Sequence, residues 1–130
     1  LFIDLSGPFH KMSLGGNRFV MLCIDDFTRF KMVRFLKHKS DATNALRGII
    51  NNYFEPEGLK IGVIRKDGGG EWHGQFLSFL RKPGIKREST PPYTPQYNGI
   101  VERALGLLRN KTSDRLWADA MAYACHMRNR

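Results

Sequence analysis

Cysteine is scarce in this chain of 130 residues: there are two. Cys23 lies in an apolar run and Cys125 in a helical pattern, with no metal-ligand spacing around either, so both read as core or half-buried thiols in a reducing compartment rather than as a disulfide. His10, His38, His73 and His126 also lack ligand spacing, which leaves nothing for zinc. No apolar run reaches the roughly 20 residues a membrane-spanning helix needs, and the start has no signal-peptide character, so no membrane partner is expected. There is no internal repeat, low-complexity tract or interdomain linker. Glycines 68–70 lack the GK[ST] ending of a nucleotide-triphosphate loop, and no Ser-His-Asp or Cys-His arrangement suggests a covalent nucleophile.

Acidic residues are also few. Twelve Asp and Glu face 21 Lys and Arg, for a net charge of +9, a bias toward a polyanionic partner. The second part of the chain is the more basic: residues 81–130 carry ten basic and four acidic side chains, against eleven and eight in residues 1–80. Apolar residues make up 42% and charged residues 25%, the composition of an ordinary globular domain. The length suits one domain, 1–130. The chain opens inside a predicted strand and closes at a predicted helix end, which suggests a piece of a longer polyprotein.

Residues 1–5, 18–25 and 30–36 are short and β-prone, and the SLGGN segment at 13–17 has turn chemistry, so an antiparallel meander of three strands is expected. Ala42, Ala45, Leu46, Ile49, Ile50 and Tyr53 recur at helical spacing, with Ser40 as the expected cap and Pro56 and Gly58 as the stop. IGVI at 61–64 returns to strand. A short helix carrying Phe76, Leu77, Phe79 and Leu80 is expected next, stopped by Pro83 and Gly84, and then a brief strand at 85–87. Pro91, Pro92 and Pro95 forbid regular structure until Asn98. Beyond it Ile100, Val101, Ala104, Leu105 and Leu108 form one apolar helix face, with Glu102 at its edge. A last helix from about Asp114 carries Leu116, Trp117, Ala120, Met121 and Ala124. Strands interleaved with helices imply a mixed α/β sheet.

Three carboxylates occupy unusual settings. Asp4 interrupts an apolar strand and by alternation shares a face with Phe2, opposite Leu1, Ile3 and Leu5. It is either a cation ligand or a strand-end cap for the SGPF turn. Asp67 follows a buried strand at its carboxyl end, where α/β sheets present ligand sites, although a turn residue ahead of three glycines would look the same. Glu102 is the third. An unpaired buried charge costs several kcal/mol, roughly, so acids that converge usually hold a hard cation. Asp25 and Asp26, adjacent before a hairpin turn, read instead as residues that cap or solvate it.

In order along the chain, SLGGNRFVMLCIDDFTR, RKDGGGEW, GIKRESTPPYTPQYNGIVER and LWADAMAYACHMRNR resemble successive landmarks of the integrase catalytic core of Ty1/copia-type LTR retrotransposons. The retroviral integrase and DDE transposase superfamily shares the looser three-acid pattern. The resemblance implies a ribonuclease H-like fold, a five-stranded mixed sheet flanked by helices, with Asp4, Asp67 and Glu102 as the catalytic and metal-binding triad. It implies two Mg²⁺ or Mn²⁺ ions, DNA as partner, both element ends and target, and a homo-oligomer in the active assembly. The implied reaction is 3′-end processing and strand transfer, in a nucleus or virus-like particle. Tyr93, Gln96, Asn98, Arg103 and Arg109 are the implied DNA contacts, or else ordinary loop and solvated helix residues. Gly68 stands where the family has Asn, and Gly106 where a cation would reach DNA. These departures suggest a decayed or domesticated copy, and the alternative is a catalytically inactive nucleic-acid-binding or assembly module. A ribonuclease H proper would not need TPQYNGIVER.

Overall fold

The computed structural model describes residues 1–67, 78, 79, 81, 84–90 and 115–130. Its sheet has five strands, β1 (Phe2–Ser6), β2 (Phe19–Ile24), β3 (Lys31–Leu36), β4 (Val63–Asp67) and β5 (Lys86–Thr90), in the order β3-β2-β1-β4-β5. β1, β2 and β3 pair antiparallel, whereas β4 pairs parallel with β1 and with β5. Helix α1 (Ala42–Ile49) packs on one face of this sheet and α2 (Trp117–Arg128) on the other. This is the ribonuclease H-like mixed sheet. Among the described residues no helix is long and apolar enough to cross a membrane.

Why the chain folds this way is visible in its alternation. β2 is FVMLCI, and its residues Val20, Met21, Leu22, Cys23 and Ile24 are all buried, as an inner strand covered on both faces should be. β1 alternates instead, with Leu1, Ile3 and Leu5 turned toward α1 and Phe2 packed with Leu22 and Ile24 on the opposite face. The α1 face holds the main core, in which Ile3, Met21, Cys23, Leu46, Ile49 and Ile64 are at most 1% exposed. The α2 face holds a smaller cluster of Val20, Trp117, Ala118 and Met121, against which Phe9, Val33 and Phe35 pack. Cys23 and Cys125 are both free and buried.

Local chemistry sets the connections. In the 13–17 turn the Ser13 hydroxyl accepts from the Asn17 amide at 3.0 Å, which lets a polar side chain stay 1% exposed. Gly7 has φ +127°, and a Cβ there would meet the Arg18 carbonyl oxygen at 2.6 Å, so no other residue fits. In the β2–β3 hairpin Asp25 Oδ2 accepts from the Thr28 amide at 2.9 Å and its hydroxyl at 2.6 Å, the expected turn role. Asp26 does otherwise and pairs with Arg65 at 2.7 Å.

Three expectations need correction. Ser40 lies within a 3₁₀ turn (Lys39–Asp41) and does not cap the helix; Asp41 Oδ2 accepts from the His38 amide at 2.9 Å, reaching back to the residue that precedes the turn. The strand expected at 61–64 is Val63–Asp67, and the one expected at 85–87 is Lys86–Thr90. α1 runs on through a π-type turn (Ile50–Phe54) and a 3₁₀ turn (Glu55–Glu57) before Gly58, at φ 65°, ends it as anticipated.

α2 is tied down at both ends. Trp117 stacks on Phe9 at 4.3 Å between ring centroids, meets Phe35 edge-on at 5.8 Å, and donates its indole N–H to the Lys11 carbonyl at 3.0 Å. At the far end the Asn129 amide group accepts from the Lys31 N–H at 2.8 Å and donates to the Lys31 carbonyl at 2.7 Å.

Candidate functional site

Asp4 stands inside β1, paired with Leu22 of β2, so it is not a strand-end residue. It is half-buried, and the Ser6 hydroxyl, two residues on and hence on the same face, donates to its Oδ2 at 3.1 Å. The two polar side chains border a crevice between the sheet and α2, lined otherwise by Val20, Leu22, Val33, Met121 and Cys125. An apolar wall on one side and hydroxyl support on the other hold a carboxylate in a fixed place. Ser6 carried no separate signal in the sequence beyond its period-two offset from Asp4.

Asp67 is the last residue of β4, where it pairs with Thr90 of β5. β1 and β4 pair Phe2 with Arg65 and Ile3 with Lys66. Asp4 and Asp67 are the next residues along these two parallel strands. Thus two acids that are 63 positions apart in sequence lie on adjacent strands of the sheet. Asp4 is the middle residue of β1, whereas Asp67 closes β4 at its carboxyl end, the end at which α/β sheets bind ligands.

Glu102, Tyr93, Gln96, Asn98, Arg103 and Arg109 lie outside the described residues, as do Gly68 and Gly106. Among the described residues no group of three or more His, Cys, Asp or Glu forms a metal cluster. The donor set of Asp4 and Asp67 is all oxygen, the set that Mg²⁺ prefers.

Other titratable groups are accounted for by structure. The Cys23 thiol, fully buried, is pushed up to about 12 by desolvation. Burial also raises Cys125, whose Sγ lies 3.3 Å from the Lys31 carbonyl oxygen. Neither is a nucleophile at neutral pH. At the amino end of β1, the Arg65 guanidinium lies over the Phe2 ring and bonds Glu88 at 2.6 Å and Asp26 at 2.7 Å. The bond that Arg65 donates to Glu88 is the main reason its affinity for the proton rises. This trio ties the hairpin to β4 and β5 and leaves Asp26 engaged away from Asp4.

No family model matches the chain. It is 31% identical, over its whole length, to a retrovirus-related Pol polyprotein from transposon TNT 1-94 of Nicotiana tabacum, of which it covers 10%. Polyproteins of the same description from transposons RE2 and RE1 of Arabidopsis thaliana are 29% and 30% identical over 92% and 87% of the chain, which covers 9% and 8% of them. The chain therefore spans about a tenth of the length of these relatives. Among solved structures, a simian T-cell lymphotropic virus intasome in complex with PP2A regulatory subunit B56 gamma shares the fold. That likeness has a TM-score of 0.60 and 19% identity over 95% of this chain and 46% of that one.

Proposed function

This chain belongs to the retrovirus-related Pol polyproteins of Ty1/copia-type transposons as one segment of them, and we propose that it acts as their integrase core. In this reading residues 1–130 form a polynucleotidyl transferase that processes the 3′ ends of element DNA and joins them to target DNA. The observation that supports the reading is the parallel pairing of β1 and β4, the adjacent strands that carry Asp4 and Asp67.

The residues fit a divalent cation. Asp4, Asp67 and Glu102 would hold two Mg²⁺ or Mn²⁺ ions, which supply Lewis-acid activation of the attacking oxygen and neutralise charge on the leaving one. The chain's own work is to hold these carboxylates still. Ser6 fixes Asp4 Oδ2, and the Val20, Leu22 and Met121 wall limits water around it. Tyr93, Gln96, Asn98, Arg103 and Arg109 would bind the DNA ends. Two ends must be joined together, so the working form is a homo-oligomer, acting in the nucleus or a virus-like particle.

A strand-transfer assay with Mg²⁺ tests this. Asp4→Asn and Glu102→Gln should each reduce joining on the order of a thousandfold, the worth of several kcal/mol of charge stabilisation. DNA binding with a steep salt dependence but no Mg²⁺-dependent joining by the unaltered chain would replace this reading with that of an inactive binding module. Cleavage of RNA–DNA hybrids without strand transfer would point to a ribonuclease H.

A further inference from the structure

Asp4 and Ser6 share the α2 face of β1, with Leu5 between them turned toward α1. Ser6 is the last residue of the strand and pairs with Val20 of β2. The chain is clamped immediately beyond it. Gly7 packs so closely on the Arg18 carbonyl oxygen that a Cβ would lie 2.6 Å from it, and the Phe9 amide donates to that same carbonyl at 2.7 Å. The backbone of Ser6 is therefore held from both sides, and its hydroxyl keeps little freedom beyond χ1.

The surroundings direct that hydroxyl to one carboxylate. Of the described side chains that line the crevice under α2, Val20, Leu22, Val33 and Met121 are apolar, and the Cys125 thiol donates to the Lys31 carbonyl at 3.3 Å. Asp4 is the carboxylate among them, and its Oδ2 takes the Ser6 proton at 3.1 Å. A strand-borne Asp has two side-chain torsions to settle before its oxygens can face a cation. A hydrogen bond to one oxygen settles the second torsion in advance, so less freedom is lost when a cation arrives. Removing such a partner from a ligating carboxylate weakens metal binding by about 10- to 100-fold in metal sites generally.

We infer that Ser6 is a positioning residue: its hydroxyl, acting through Asp4, sets how tightly the site takes a divalent cation. The inference rests on the integrase reading for the presence of a cation at Asp4, and on the strand geometry for the role of Ser6. A part confined to steadying the bend at Gly7 would show in stability and not in cation affinity. A part played by the bulk of the side chain would be served equally by Ser6→Thr and Ser6→Val, which have nearly the same shape and differ in the donated proton.

The test counts free Mn²⁺ by electron paramagnetic resonance as the whole chain is titrated with the metal, alongside urea unfolding of each variant. Ser6→Ala and Ser6→Val should each weaken Mn²⁺ binding about tenfold or more, whereas Ser6→Thr should bind within about twofold of the unaltered chain. In a chain already carrying Asp4→Asn, Ser6→Ala should bring no further loss, because it acts through that carboxylate. Unchanged Mn²⁺ affinity in Ser6→Ala, or equal affinity in Ser6→Val and Ser6→Thr, would overturn the inference, as would a further loss in the Asp4→Asn background. If Ser6→Ala does not fold, the Ser6→Thr and Ser6→Val pair makes the same comparison. An unaltered chain with no Mn²⁺ binding that Asp4→Asn removes would sink the integrase reading itself and this inference with it, a result distinct from tight binding that ignores Ser6.

Discussion

On the α1 side of the sheet the buried strand residues are apolar, and the load is spread over many medium-sized side chains such as Ile3, Met21, Leu46, Ile49 and Ile64. On the α2 side β1 turns Asp4 and Ser6 outward, and packing leans on one large residue, Trp117, with its Phe9 and Phe35 partners. The difference shows how a small domain can carry a polar centre. One face supplies the burial that offsets chain entropy, so the other can leave a carboxylate half-covered without unfolding the chain.

The comparison breaks hardest if the two faces are exchanged chemically. Ile3→Asp would put a carboxylate one residue from Asp4 but on the apolar side, and the chain should be unfolded at neutral pH by circular dichroism, a cost of several kcal/mol, roughly. Asp4→Leu, on the permissive side, should stay folded, with a change of less than about 1 kcal/mol in urea unfolding. Equal damage from both would show that the faces are alike. Next in size is Trp117→Ala, expected to cost about 3 to 5 kcal/mol in the same assay, whereas Ile49→Val, one of many in its core, should cost about 0.5 to 1.5 kcal/mol.

The smallest effect belongs to the hairpin tip, which neither face covers. Desolvation pushes Asp25 upward, but the Thr28 hydroxyl and amide outweigh it and hold the carboxyl below the usual range. A group depressed in the folded state stabilises above its unfolded value, and that contribution is lost as pH falls through the folded one. Asp25→Asn should therefore lower the unfolding free energy from urea titration at about pH 7, by under about 1 kcal/mol, and change it less near pH 3.

Much of this architecture was legible. The apolar runs of β1, β2 and β3 and the helical spacing of α1 announced themselves, and Pro56 and Gly58 marked the end of that helix turn region correctly. β4 and β5 are legible as strands but not in their bounds, because RKD and EST look polar, yet the parallel pairing of these strands satisfies their backbones whatever their side chains. That pairing also changes the standing of Asp67, from a residue after a strand to the last residue within one. The Asp4 face followed from alternation, whereas the adjacency of its strand to that of Asp67 needed the β1–β4 pairing, which no local pattern encodes.

β3 is one edge of the sheet, and Lys31 turns both its N–H and its carbonyl outward from it. The Asn129 amide occupies both, like a single residue of a sixth strand. A second chain seeking to extend the sheet from that corner would have to displace two short hydrogen bonds before gaining any. α2 thus does more than cover a face: its last turn closes one end of an edge that could otherwise template aggregation.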